Sequence, residues 1–113
     1  MGDLIQLPRK IKLRGKWETR EVWLNGRRLS PGRSQKVWNH SPDGFNWSYG
    51  GSGPAQLALA VLLEYFDQDK AVQLHQHFKR DFVAGFPAGD FDTIIDLDAW
   101  LEYIESGEWR TSK

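Results

Sequence analysis

The chain has 113 residues, formal net charge zero from 15 Lys/Arg and 15 Asp/Glu, 40% apolar residues and six tryptophans. That length holds one domain with a real core, and the composition excludes a wholly disordered chain. With no cysteine, disulfides and thiolate metal sites are excluded.

The charges are unevenly spread. Residues 1–50 carry ten Lys/Arg and four Asp/Glu, whereas residues 51–113 carry five and eleven. Residues 90–108 hold seven carboxylates and no basic residue. Such a split fits two faces with different partners, or two halves that attract each other. The longest apolar run, about residues 57–63, is far shorter than the ~20 residues of a membrane span. Residues 1–8 lack the apolar region of a signal peptide and read as a tail before a single domain over 9–113. The expectation is a cytoplasmic protein with no membrane partner.

Arg9 to Arg14 alternates basic and apolar residues, which predicts a strand with Ile11 and Leu13 inward. Beyond Gly15, Trp17 to Leu24 forms a second strand candidate, and Asn25-Gly26 is a strong hairpin signal leading into Arg27-Arg28-Leu29. Ser30-Pro31-Gly32 breaks that strand. Gln35 to His40 reads as a further strand around Val37 and Trp38, and Ser41-Pro42-Asp43-Gly44 as a tight turn. Phe45, Trp47 and Tyr49 alternate in the period-2 pattern of a half-buried strand. Gly50, Gly51 and Gly53 then turn the chain, with Ser52 or Gly53 as helix cap and Pro54 in the first helical turn.

From Ala55 to Phe66 nearly every position is apolar, the pattern of a helix buried on most sides. A second helix runs from about Lys70 to Ala84 after Asp67 or Asp69, with Ala71, Leu74, Phe78 and Phe82 at helical spacing. Thr93-Ile94-Ile95 is either a last short strand or a core-filling segment. Asp96 or Asp98 caps a final helix with Trp100, Leu101 and Ile104 inward, stopped near Gly107. Strands first and helices afterwards give an α+β fold: an N-terminal antiparallel meander of about four or five short strands on about three C-terminal helices.

No motif assigns a catalytic residue, a metal or a cofactor. The Gly50–Gly53 turn offers free N–H groups for an anion but lacks the P-loop and dinucleotide signatures. Its other reading is a tight entry into a buried helix. Ser52 misses the nucleophile-elbow pattern because Pro54 replaces the closing glycine, and nothing places His40 and Asp43 around it. His75 and His77, two apart on a helix, cannot chelate one ion, and His40 stands alone in a loop. Asp90, Asp92, Asp96 and Asp98 lack the glycine and closing glutamate of a calcium loop and suit caps better.

Lys12, Arg14, Arg20, Arg27, Arg28 and Arg33 lie among Trp17, Trp23 and Trp38, the mixture that single-stranded nucleic acid or nucleotides require. Outward cations on any soluble sheet look the same.

The run Asn39-His40-Ser41-Pro42-Asp43-Gly44-Phe45-Asn46-Trp47-Ser48-Tyr49-Gly50-Gly51-Ser52-Gly53-Pro54-Ala55-Gln56-Leu57-Ala58-Leu59-Ala60 resembles a family of small prokaryotic and phage-borne domains of unknown function. The likeness extends through Leu74–Arg80 and Val83–Pro87, about residues 37–87 in all. Ser48 departs from it, because the family usually has glycine there. The resemblance implies no chemistry but a setting, that of accessory proteins of phages and mobile elements. Proteins in that setting often bind and block a host machine or sequester a ligand.

Two functional expectations follow. The first is a non-enzymatic binding protein with a protein partner, an anti-CRISPR-like or other inhibitor of a host defence or nucleic-acid-processing complex. The second is a nucleotide or nucleic-acid module, with a phosphate at Gly50, Gly51, Ser52 and Gly53, a base on Trp47 or Tyr49, and Asn39, His40 and Asp43 at the rim. A Ser52 hydrolase ranks third.

Overall fold

The computed structural model describes residues 9–107, and the tail expected at residues 1–8 lies outside them. The fold is α+β. Strands β1 (Lys10–Lys16), β2 (Glu21–Leu24), β3 (Arg27–Leu29) and β4 (Phe91–Asp96) form an antiparallel sheet in the order β3-β2-β1-β4. Helices α1 (Gly32–Val37), α2 (Ser52–Leu63), α3 (Gln68–Asp81) and α4 (Leu97–Ser106) accompany it, with one 3₁₀ turn at Val83–Gly85.

Alternation decides which face of the sheet is buried. Ile11, Leu13, Val22, Leu24, Leu29, Phe91 and Ile95 point into the core, while Lys10, Lys12, Arg14 and Lys16 point outward. Asn25 and Gly26 both take positive φ, 53° and 82°, as the two-residue hairpin turn requires.

Gly15 continues β1 rather than ending it. A Cβ there would lie 2.2 Å from the Phe91 ring, so the glycine admits the aromatic from the neighbouring strand. The turn comes later, at residues 17–20, where Arg20 takes φ 62° and its N–H reaches the Lys16 carbonyl.

Helix α2 is the centre of the core. Every residue from Gly53 to Leu63 is buried. Burying a leucine or valine side chain contributes about 1.5–3 kcal/mol, so Leu57, Leu59, Val61, Leu62 and Leu63 supply much of the driving force. Asp67 caps α3 by accepting from Lys70 N–H, and Asp96 caps α4 by accepting from Ala99 N–H. Gly107 ends α4 in the left-handed conformation. Trp100 of α4 packs edge-on against Phe78 of α3 and donates to Asp81. Arg9 grips Asp98 through its backbone N–H and guanidinium, which holds that carboxyl below its usual range.

Two expected strands are absent. Gln35–His40 is not a strand: α1 occupies Gly32–Val37, following Pro31, and the Ser34 hydroxyl donates to the Pro31 carbonyl. Phe45–Tyr49 also pairs with no strand. The chain takes positive φ at Gly44 (108°) and Ser48 (81°), which bracket the segment and prevent a ladder, and Ser48 N–H binds the Val83 carbonyl instead. The expected alternation holds in burial only for Phe45 and Trp47, which are buried, and fails at Tyr49, which is half exposed. The fourth strand is β4, drawn from the acidic part of the chain to pair with basic β1, so Thr93–Ile95 is strand.

Ser48 occupies the left-handed region at the position where the family resemblance leads one to expect glycine. Ser48→Gly should therefore leave urea-unfolding stability unchanged or raise it by up to about 1 kcal/mol, while Ser48→Val should lower it by about 1–2 kcal/mol. A glycine variant less stable than the valine variant would contradict this backbone assignment.

Candidate functional site

Gln56 is the buried polar side chain in the middle of α2, and its amide organises the segment before it. Its Oε1 accepts from Ser41 N–H at 2.9 Å, and its Nε2 donates to Ser34 Oγ at 2.9 Å and the Trp38 carbonyl at 3.1 Å. From the other side, Gln35 Nε2 donates to the Ser41 carbonyl at 2.8 Å. A loop without regular structure is thus fixed by side-chain amides that replace the missing ladder.

This arrangement brings His40 to α3, which corrects the expectation that it stands alone. His40 Nε2 lies 2.9 Å from His75 Nε2, and His75 Nδ1 lies 2.6 Å from the Val72 carbonyl. A carbonyl only accepts, so His75 carries its proton on Nδ1 and its Nε2 accepts from His40 Nε2–H. Trp38, 48% exposed, stacks on His40 with centroids 4.4 Å apart. Both imidazoles are held below the usual histidine range, chiefly by burial; the Lys79 ammonium reinforces this at both, and the neighbouring ring does so at His40. Lys79 also donates to the Gly50 carbonyl at 3.3 Å, so the histidine pair and the glycine turn lie along one side of α3.

The other expected turn residues separate into framework and rim. Trp47 is fully buried, donates to the Gly89 carbonyl, and packs edge-on against Trp17 and Phe91, so it offers no ring to a base. Gly53 is packed against Asn46, where a Cβ would lie 2.5 Å from the Asn46 Cβ. Ser52 is not the cap of α2. The N-cap is Gly51, without a side-chain cap bond, and exposed Ser52 is the first helical residue. No hydrogen bond joins Ser52 to His40 or Asp43 among the described residues, so the triad is not assembled. Asn39, Asp43, Tyr49 and Gly50 are exposed, and Gly51 lies against the Tyr49 ring.

The basic residues divide as well. On the outward face of the sheet, Arg14 lies opposite Trp23 and Asp92, Trp23 opposite Arg28, and Lys12 opposite Ile94. The Arg14 guanidinium sits 4.1 Å over the Trp23 ring, and Ile94 is 67% exposed. Arg27, Arg28 and Arg33 come together beside β3. Arg20 joins neither group: its guanidinium stacks on Trp17, donates to the Trp17 carbonyl, and binds Asn46 Oδ1. Trp17 and Trp38 also lie away from the outward face, leaving Trp23 as the aromatic among its cations. Among the described residues, no group of three or more His, Asp or Glu is placed to hold a metal.

Sequence spacing could not find the His40–His75 pair, because the partners are 35 residues apart and meet only through the Gln56-held loop. Gln56 itself was visible as a polar residue inside an otherwise apolar helix.

Gln56→Leu removes the partner of Ser41 N–H and one of the two donors to the Trp38 carbonyl while keeping volume, and should cost about 2–4 kcal/mol in urea unfolding. A cost below about 1 kcal/mol would contradict the role given to the amide. The histidines predict a pH effect of definite sign. Their folded pKa values lie below 6.5, so the unfolded chain binds more protons as pH falls past that value. Their contribution is complete above about pH 6.5 and is lost on acidification toward the lowered values. A His40→Phe/His75→Phe variant should show a flatter decline in that window by thermal unfolding.

Comparison with curated proteins and with solved structures yields no match. A family model matches residues 13–103, a span that starts within β1, includes β2 to β4 and helices α1 to α3, and enters α4. The chain therefore belongs to the family of unknown function DUF6166.

Proposed function

We propose that this protein is a small non-enzymatic binding protein that engages an acidic protein surface through the outward face of its sheet. The observation that carries the reading is the Arg14–Trp23 pair at the centre of that face, flanked by Lys12, Arg28 and exposed Ile94. Arginine and tryptophan dominate binding hot spots, and a centre bordered by Lys12, Arg14 and Arg28, with Asp92 opposite Arg14, suits a partner with acidic rim residues. The setting implied by the family resemblance makes a host defence or nucleic-acid-processing complex the target class, with this domain as its inhibitor.

A nucleic-acid role has less support. Stacking along a strand needs successive aromatic platforms, and here Trp23 is already covered by Arg14 while Trp17 and Trp38 point elsewhere.

The test uses the tagged full chain and an Arg14→Glu/Ile94→Glu variant, both changes being at exposed positions. With equal melting temperatures, the wild type should retain a defined protein partner from host lysate, and the variant should lose it by at least about tenfold, equal to about 1.4 kcal/mol. Equal retention by both proteins would overturn the reading. So would retention abolished by nuclease, or turnover of a substrate by the purified protein.

A further inference from the structure

Beside the edge strand β3 lies a cleft of about 450 Å³, bounded by the β2–β3 hairpin, the start of α1 and the end of α2. That volume falls within the range of small-molecule sites. Leu24 and Leu29 contribute an apolar lining, and Arg27, Arg28 and Arg33 line the same cleft beside one carboxylate residue, Glu64, with the Arg28 guanidinium directed to Glu21 of β2.

The arginines are available to a ligand. No ion pair engages Arg27 among the described residues. Arg28 and Arg33 meet Glu21 and Glu64 only at 3.4 and 3.5 Å, with arginine side chains 68% and 64% exposed. Pairs that long and exposed contribute little and exchange readily. Tyr65 completes the wall. Its hydroxyl accepts from Asn25 Nδ2 at 2.9 Å, which fixes the ring, and burial with the nearby Glu64 keeps the phenol protonated.

Arginines beside an apolar and aromatic lining match a ligand that joins a dianionic group to a flat body. The planar fork of arginine pairs bidentately with phosphate, and the cleft retains a net positive charge after Glu64 is counted. We propose that this cleft is a binding site for a phosphorylated ligand with an aromatic body, either a free nucleotide or the phosphorylated end of a nucleic-acid strand. Arg27 and Arg33 take the phosphate, and Tyr65 with the leucines takes the body. Arg28 borders both this cleft and the Arg14–Trp23 face, but Arg27, Arg33 and Tyr65 belong to the cleft, and the assignment does not depend on the partner-binding reading.

Differential scanning fluorimetry of the full chain at low, matched ionic strength tests the assignment. The probes are adenosine and uridine 5′-monophosphates, adenosine, inorganic phosphate, and trinucleotides with 5′-phosphate or 5′-hydroxyl ends. At a hundredfold excess over its dissociation constant, a monophosphate should raise the melting temperature by about 10 °C, and adenosine should not. A larger shift from the 5′-phosphorylated than the 5′-hydroxyl trinucleotide would assign the strand end as the source; equal trinucleotide shifts beside a monophosphate effect would assign the free nucleotide.

The Arg27→Gln/Arg33→Gln variant should lose the shift, and Arg33→Lys, which keeps the charge without the fork, should weaken binding at least fivefold by isothermal titration. The Arg14→Glu/Ile94→Glu protein should bind as the wild type does. The proposal is overturned if no phosphorylated probe shifts the wild type beyond the chloride control. It is equally overturned if the double variant keeps the shift, or if hexaglutamate shifts the wild type as much as the monophosphates do.

Discussion

The structure depends on a buried amide. Gln56 places a donor and an acceptor inside the most apolar helix of the chain, and both are satisfied by the segment that precedes that helix. Had the position been leucine, α2 would still be buried, but Ser41 N–H would lose its partner and the Trp38 carbonyl would keep only His40 N–H. The amide therefore converts residues 38–41 from a loop that needs solvent into part of the core wall. The histidine pair follows from it, since the backbone held at Ser41 carries the adjacent His40 onto His75.

A second constraint is steric. Gly53 meets Asn46 and Gly51 meets the Tyr49 ring at distances no Cβ would tolerate. Asn46 in turn bonds Arg20, whose guanidinium lies 3.6 Å over Trp17, and Trp17 packs on Trp47. The glycines near the start of α2 thus serve packing between that helix and the β1–β2 turn. This account gives much of the conspicuous Asn39–Ala60 run an architectural purpose, and it moves the search for binding surfaces to the outward sheet face and the arginine cleft.

The sequence made the α+β class, the Asn25-Gly26 hairpin, the buried helix and the two aspartate caps legible, because each follows from local chemistry or periodicity. Ile11 and Leu13 also face inward as their alternation requires. Residues 35–49 misled for a physical reason. Val37-Trp38 and Phe45-Trp47-Tyr49 carry the apolar spacing of strands, yet tertiary hydrogen bonds from Gln56 and Val83 take the backbone groups that a ladder would use. The site was legible in pieces. His40 was singled out but not its partner on α3, and Arg27 and Arg33 were grouped with Lys12 and Arg14 although they line a cleft beside β3. Trp47 and Arg20 carried the right chemistry for recognition but are used for packing.

Native-state amide hydrogen exchange tests most directly whether residues 38–56 form one fixed unit around Gln56. Ser41 N–H, bonded to the Gln56 side chain, and Ser48 N–H, bonded to Val83, should be protected to within about tenfold of the slowest α2 amides, a gap of about 1.4 kcal/mol. Exchange of Ser41 N–H at the rate of an unstructured loop, with α2 still protected, would contradict the account.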